Sequence, residues 1–388
     1  MYCCKLILGK NFMIPIARPL LGTEEEDAVL RVLASGQLAQ GKHVTAFERR
    51  FAKVCHVREA VAVSSGTAAL HLALLAHDIG PGDEVITTAF SFAATANVIL
   101  LVGATPVFVD IEPDTYNIDP ALVEAALSPR TKAIMPVHLY GHPCDMRRLE
   151  ALAVANHLTI IEDACQAHAA KIDGKPVGSF GTGCFSFYAT KNISTGEGGM
   201  VTTNDPGVAE RVRLLRSHGQ SERYNHTILG YNLRMTEIQG ALGLVQLDKL
   251  EQFTEQRIAN ATILTECFAG AVQTPVSRPG HRHVYHQYTI RVLGGERDEW
   301  AMRLHARGIG TAIHYPTAIH QQPFYQEQVD KCLFVSSRET TCTERTKHVA
   351  CLPVTETAAK QVLSLPVHPA LSKEDLTTIT REVLALCR

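Results

Sequence analysis

The most constraining feature of this sequence is a regular alternation between about Ala60 and about His218. Short apolar runs rich in β-branched residues, such as EVITT, TPVFVDI and LTIIEDA, are separated for the most part by helical segments such as SSGTAALHLALLAH. Parallel strands that are covered on both faces have this continuously apolar character. The pattern therefore predicts an α/β fold with an open, mostly parallel central sheet flanked by helices. One helix start is specific, because Asp119 is placed as its N-cap and Pro120 as its first residue.

The pattern changes near Arg234. The segment from Arg234 to Phe268 has apolar residues at helical spacing and predicts one long helix of the kind that crosses between domains. Beyond Ala269, a strand (YHQYTIRVL), a helix (AMRLHARG) and a final helix after the N-cap Ser372 indicate a smaller C-terminal α+β domain. We therefore expect an N-terminal extension at 1–12, a large domain at 13–268 that includes the interdomain helix at about 234–266, and a small domain at 269–388.

Composition excludes several classes of function. The 37 basic and 39 acidic residues give a net charge of −2, which leaves no basic footprint for nucleic acid or an anionic membrane. The 11 cysteines are scattered without a C-x-x-C pair, so we expect reduced thiols and a cytoplasmic protein. The sequence has no apolar run of about 20 residues and no segment with the pattern of a signal peptide.

A candidate phosphate-binding loop is SSGTAAL, which follows a predicted strand and opens a helix. Free N–H groups at a helix N-terminus, together with the hydroxyls of Ser65 and Thr67, suit a phosphate group. Gly66 lets the backbone approach an anion closely. A plain helix cap with a glycine turn is the alternative interpretation.

Asp163 falls at the carboxyl end of the predicted strand LTIIEDA, where open α/β sheets bind ligands. A carboxylate there can pair with a protonated ring nitrogen, or it can simply cap a neighbouring turn. Gln166 and His168 follow on the same loop, and we expect His168 to be structural.

Lys191 follows the predicted strand GCFSFYAT and precedes a glycine-rich turn. A lysine that forms a Schiff base needs a fixed position, a neutral amine and open space, and the small residues around Lys191 provide that space. Ser186 is a candidate for a further phosphate hydrogen bond. A lysine beside a loop is more often a solvated surface charge.

These candidates gain weight from their order along one inferred sheet: a phosphate loop, a carboxylate and then a lysine. Phe92, in FSFAATAN, is placed either to stack on a flat heteroaromatic ring or to fill the core. One bound pyridoxal 5′-phosphate (PLP) would account for the whole set.

The motifs SSGTAAL, FAATAN, IEDACQAH, FSFYATKN, TGEGGMV, GYNLRMTEIQGALG and IHYPTAIH resemble those of the DegT/DnrJ/EryC1/StrS family of PLP-dependent sugar aminotransferases, from about Pro15 to near the C-terminus. The resemblance implies the aspartate aminotransferase superfamily fold (fold type I), with Lys191 as the Schiff-base lysine and Asp163 on the pyridine nitrogen. It also implies that Gln166 neighbours the cofactor, that Gly66, Thr67 and Ser186 contact its phosphate, and that Phe92 stacks on its ring. Asn232 would reach the cofactor of the partner subunit. His314 and Tyr315 would line the sugar site, and the GQLAQG loop would help to close over the substrate.

The resemblance also implies a reaction and an assembly. The expected activity is transfer of the amino group of L-glutamate to a nucleotide-linked keto sugar, by a homodimer with shared active sites. RMTEIQ favours a 4-keto over a 3-keto acceptor. Alternatives on the same scaffold are a PLP-dependent sugar dehydratase or lyase and a non-catalytic regulatory homologue. HRHVYH raises the question of zinc, but we expect no metal.

Overall fold

The computed structural model describes residues 13–328, 332–335, 341–342 and 352–387. The predicted extension at 1–12 lies outside the described residues. The helices of the described chain are α1 Thr23–Ser35, α2 Lys42–Val54, α3 Gly66–Ala76, α4 Ala94–Leu101, α5 Pro120–Ala125, α6 Met146–Ala155, α7 Pro206–Arg216, α8 Glu237–Cys267, α9 Arg297–Ala306, α10 Pro323–Glu327, α11 Pro353–Gln361 and α12 Lys373–Leu384. The strands are β1 Glu59–Val63, β2 Glu84–Thr88, β3 Thr105–Val109, β4 Thr131–Ile134, β5 Thr159–Asp163, β6 Lys171–Ile172, β7 Lys175–Pro176, β8 Thr182–Ser186, β9 Gly199–Thr203, β10 Gln220–Glu222, β11 Asn225–His226, β12 His281–Arg282, β13 Tyr288–Arg291, β14 Leu333–Val335, β15 Thr341–Cys342 and β16 Val362–Leu365.

The central sheet has the strand order β1-β9-β8-β5-β4-β2-β3-β14-β15. Its middle, from β8 to β14, is parallel, whereas β9 pairs antiparallel with both β1 and β8, and β15 pairs antiparallel with β14. The prediction of an α/β fold with a mostly parallel sheet is thus confirmed. Parallel order brings the carboxyl ends of β2, β4, β5 and β8 to one edge of the sheet.

Local signals in the sequence predicted several helix termini correctly. The Asp119 carboxylate accepts a hydrogen bond from the Ala121 N–H (2.8 Å), and Pro120 opens α5. The long segment after Arg234 forms a single helix, α8, which begins after the N-cap Thr236. Ser372 caps α12 as expected. Side-chain capping satisfies N–H groups that a helix leaves free, and this is why such short patterns are informative.

Chain beyond residue 269 contributes to two different parts of the fold. β13 and β16 form a separate antiparallel pair, and their side chains Tyr288 and Leu363 are buried in a cluster with residues of α8, α9 and α12. β14 instead joins the edge of the central sheet next to β3. The division at residue 268 stays a prediction. Among the described residues, no helix is long and apolar enough to cross a membrane.

A buried carboxylate fixes the loop that precedes α2. The Glu237 side chain accepts hydrogen bonds from the N–H groups of Gly41 (2.8 Å), His43 (3.0 Å) and Val44 (3.0 Å), and from the His43 ring (2.8 Å). Burial opposes ionisation, but these donors outweigh it and lower the pKa of Glu237 below its ordinary value of 4.5. The start of α8 therefore holds the start of α2 and the end of the GQLAQG loop.

Replacing Glu237 by glutamine is expected to lower the free energy of unfolding at pH 7 by about 1–3 kcal/mol, because an amide satisfies fewer of these donors. Since the folded-state pKa is depressed, the stabilisation is present above the unfolded-state value and is lost as the pH falls through the folded-state value. The difference in the free energy of unfolding between wild type and variant should therefore shrink below about pH 4.5. Urea unfolding at a series of pH values measures this difference. Glu150→Gln, which loses only the exposed pair with Lys175, should cost under about 0.5 kcal/mol; equal losses in both variants would contradict the prediction.

Candidate active site

Asp163 ends β5 at the carboxyl edge of the sheet, and its side chain is only 5% exposed. One carboxylate oxygen accepts a hydrogen bond from the Thr95 hydroxyl (2.8 Å), and the other accepts one from the Cys165 N–H (3.2 Å). Neither donor carries a formal charge. The carboxylate is therefore oriented but not neutralised by an ion pair within 4 Å in the described chain, and it can bind a cationic nitrogen.

Lys191 lies in the turn after β8, where its N–H bonds to the Tyr188 carbonyl (2.9 Å) and its side chain is half-buried. Burial lowers the pKa of the Lys191 ammonium, and the neighbouring charges of Cys165 and Asp163 oppose that effect only in part. Within the described residues, no side chain or carbonyl accepts a hydrogen bond from its Nζ. Burial thus favours the uncharged amine, which is the form that acts as a nucleophile or a base.

The predicted phosphate loop lies against the strand that leads to Lys191. Gly66 is the first residue of α3, and a Cβ atom built on it would stand 2.7 Å from the Ser186 Cβ and 2.9 Å from the Cys165 Sγ. Only glycine fits at such a distance. The Ser65 hydroxyl accepts a hydrogen bond from the Ala68 N–H (3.1 Å), as an N-cap does, while Thr67 is exposed. Ser186 itself is 8% exposed, and its hydroxyl accepts from the Tyr188 N–H (3.3 Å).

A second group of predicted residues meets beside Asp163. The Gln166 amide donates to the Tyr315 hydroxyl (3.1 Å) and accepts from the Tyr140 N–H (2.9 Å). The Tyr315 ring lies 6.3 Å from that of Phe92, which is 61% exposed. Burial, followed by the nearby charge of Asp163, raises the pKa of Tyr315, so the phenol stays protonated. The segment around His314 and Tyr315 is thereby joined to the loop after β5.

The remaining predicted residues take different positions. His168 is 1% exposed among Phe51, Phe185 and Phe187, and burial lowers its pKa to about 3, in agreement with a structural role. Asn232 is exposed to solvent in this single chain. Among the described residues, no group of three or more His, Cys, Asp or Glu side chains is placed to hold a metal ion. The absence of a metal stays a prediction.

Sequence reasoning assigned no role to several residues that shape this pocket. Thr95 binds the Asp163 carboxylate, Cys165 contacts Gly66, and the Tyr140 hydroxyl donates a hydrogen bond to the His314 carbonyl. Thr95 lies in the FAATAN motif, three residues after Phe92, and its helical spacing was the one available signal. Tyr140 and His314 are 174 residues apart, and no local pattern connects them.

The donor set fits PLP. The start of α3 and Ser186 provide N–H and hydroxyl donors for a phosphate, Asp163 suits a protonated pyridine nitrogen, and Lys191 suits an aldehyde carbon. The lack of a Cβ on Gly66 lets the start of α3 pack closely against Ser186 and Cys165. A mostly parallel sheet with a lysine and a buried carboxylate at its carboxyl edge defines the class of PLP-dependent transferases.

The chain belongs to the DegT/DnrJ/EryC1/StrS aminotransferase family, whose sequence model matches residues 19–384. It is 42% identical over 363 residues to a pleiotropic regulatory protein of Geobacillus stearothermophilus, with 92% of each chain covered. It is also 42% identical over 352 residues to a UDP-N-acetyl-3-dehydro-alpha-D-glucosamine 3-aminotransferase of Acidithiobacillus ferrooxidans, with 90% of each covered. These matches make the chain a sugar aminotransferase, so the predicted family and enzyme class are confirmed.

Solved structures agree with this assignment. DesV of S. venezuelae, crystallised in complex with a ketimine intermediate, superimposes with a TM-score of 0.87 at 39% identity, with 94% of each chain covered. Spr1654 of Streptococcus pneumoniae in its PLP form gives a TM-score of 0.88 at 29% identity, with 97% of this chain and 99% of that chain covered. The family is PLP-dependent.

Proposed function

We propose that this enzyme binds PLP through Lys191 and transfers the amino group of L-glutamate to a nucleotide-linked keto sugar. The observation that carries the proposal is the pairing, at neighbouring strand ends, of a half-buried lysine with a lowered pKa and a buried carboxylate without an ion-pair partner within 4 Å in the described chain. Transamination needs both groups, because one moves a proton and the other stabilises charge.

Each side chain has a defined task. Ser65, Gly66, Thr67 and Ser186 would hold the phosphate of PLP, and Phe92 would cover one face of its ring. When bound, PLP supplies an aldehyde that condenses with amines and a ring that accepts electrons. Asp163, held by Thr95 and the Cys165 N–H, keeps the ring nitrogen protonated. Lys191, when its amine is free, would remove a proton from the donor carbon in the glutamate half-reaction and would deliver a proton to the sugar carbon in the keto-sugar half-reaction.

The acceptor is the finer part of the proposal. RMTEIQ favours amination at C4, whereas the relative from Acidithiobacillus ferrooxidans is named for a 3-dehydro sugar. That relative is 42% identical along 90% of the chain, whereas the motif is only six residues long. We therefore propose amination at C3 in preference to C4. His314 and Tyr315 would line the sugar site. Arg31, Arg234 and Arg282 are candidates to bind the diphosphate, and of these Arg282 already pairs with Glu251 and Glu255.

We further propose a cytoplasmic homodimer with shared active sites. Asn232 follows the β10–β11 hairpin, whose neighbourhood exposes large apolar side chains: Tyr224 is 79% and Leu229 84% exposed. Side chains of this kind are costly in water and suit a subunit contact that brings Asn232 to the partner's cofactor. Cys55, Cys144, Cys165 and Cys184 are free thiols, as a reducing compartment allows.

The test supplies the PLP-loaded enzyme with ¹⁵N-labelled L-glutamate and a panel of UDP-, GDP- and dTDP-linked 3-keto and 4-keto sugars. We expect one sugar to gain the label and the mass change of a carbonyl converted to an amine. Fragmentation of the product identifies the aminated carbon.

The same panel decides between the alternatives. Loss of water without label would indicate a dehydratase or lyase. A regulatory role is favoured by the name of the Geobacillus stearothermophilus relative and predicts no labelled product with any sugar. The chain's Lys191 and Asp163 favour transfer, because a regulator needs neither group.

A further inference from the structure

A chain of buried hydroxyl groups ends on the ring of His314. The Thr289 Oγ1 on β13 lies 3.0 Å from the Ser364 Oγ on β16, and that atom lies 3.1 Å from the His314 Nδ1. Thr289 is 1% exposed and Ser364 is fully buried. Backbone bonds between Ala312 and Ser364 hold the segment against β16. The Tyr140 hydroxyl fixes the His314 carbonyl.

The number of hydroxyl protons determines which group donates in each of these hydrogen bonds. If Thr289 donates to Ser364 and Ser364 donates to the His314 Nδ1, both hydroxyl protons are used. In the reverse direction the Thr289 proton, buried, would find no acceptor among the described residues. An unsatisfied buried donor costs about 1–3 kcal/mol, so the first arrangement is favoured. The Nδ1 atom is then an acceptor, and the proton of the neutral ring sits on Nε2.

The other ring nitrogen, Nε2, is not fully buried. Within the described residues, the His314 Nε2 atom has no hydrogen-bond partner, and it is not among the fully buried polar atoms. Burial, followed by the charge of Lys191, lowers the pKa of His314 to about 4, so the ring is neutral near pH 7. His314 therefore offers one uncharged N–H donor beside Lys191.

We propose that Thr289 and Ser364 are positioning residues that lock His314 as its Nε2–H tautomer, and that this N–H binds the carbonyl oxygen of the keto acceptor. A neutral imidazole can polarise a carbonyl group without placing a positive charge beside the lysine. The inference deepens the proposed function and rests on it. It assigns roles to two residues that no sequence motif marked.

The kinetic test compares Ser364→Ala and Thr289→Val with Thr289→Ser, which keeps the hydroxyl. Single-turnover measurements separate the glutamate half-reaction from the keto-sugar half-reaction. We expect the first two variants to slow the keto-sugar step about tenfold more than the glutamate step, and Thr289→Ser to restore the ratio. Thr254→Val removes a buried hydroxyl that bonds only within α8, and it serves as the matched control.

A second measurement needs neither cofactor nor turnover. Protein with ¹⁵N-labelled histidine rings, assigned by comparison with His314→Asn, should show His314 as the Nε2–H tautomer, and Ser364→Ala should lose that pattern. An Nδ1–H signal in wild type, or a half-reaction ratio in Ser364→Ala equal to that of Thr254→Val, would overturn the role of these residues alone. Failure of wild type to aminate any keto sugar, with the expected tautomer present, would overturn the proposed function instead.

Discussion

Replacing Lys191 by alanine is expected to reduce turnover by more than about 1000-fold while the protein stays folded. Two losses combine, because the variant has no amine to join the aldehyde of PLP and no base at the donor carbon. The fold should persist for two reasons. Burial disfavours the charged form of this side chain. Its Nζ atom also makes no hydrogen bond within the described chain, so the substitution removes none. We expect the free energy of unfolding to change by under about 1 kcal/mol.

The measurement combines steady-state amino transfer with borohydride trapping. Wild type incubated with PLP and borohydride should gain one cofactor mass on the peptide that contains Lys191, and the variant should gain none there. Lys53→Ala, an exposed position on α2, controls for the loss of a lysine and should match wild type in both assays. An active Lys191→Ala enzyme, or trapping at another lysine in wild type, would refute the assignment.

Local chemistry explains why so much of the fold was predictable. The caps Asp119 and Ser372 depend on residues within three positions of each other, and they occur where expected. The apolar strands predicted a parallel sheet because burial on both faces leaves a signature in each strand separately. The direction of β9 left no such signature. It runs antiparallel to β1 and β8, between which it lies in the sheet.

The candidate site was predictable in part, for a similar reason. Asp163 and Lys191 are recognisable because each follows a strand and its chemistry is unusual there. The groups that orient them lie far away in sequence: Thr95 is 68 residues from Asp163, and Tyr315 is 149 residues from Gln166. Ser364 reaches His314 because a backbone bridge between Ala312 and Ser364 holds that segment against β16. Contacts of this kind depend on tertiary packing, which no pattern of neighbouring residues encodes.

Replacing Asp163 by asparagine is expected to lower turnover by at least about 100-fold, the effect of removing one preorganised electrostatic group. An amide is nearly the same size but carries no charge, so it does not hold a proton on the pyridine nitrogen and the ring accepts electrons less well. The amide oxygen can replace only one of the two acceptors that serve Thr95 and the Cys165 N–H. We therefore also expect a loss of about 1–2 kcal/mol in the free energy of unfolding.

Asp110→Asn provides the matched control for that loss of stability. Asp110 also follows a parallel strand, β3, and its carboxylate accepts from the N–H groups of Val354 and Thr355 at the start of α11. Both variants should unfold at lower urea concentration than wild type, but only Asp163→Asn should lose turnover out of proportion to its folded fraction, with Lys191 still trapped by borohydride. Equal turnover in the two variants at saturating PLP would separate Asp163 from the chemistry and leave it a structural carboxylate at the end of β5.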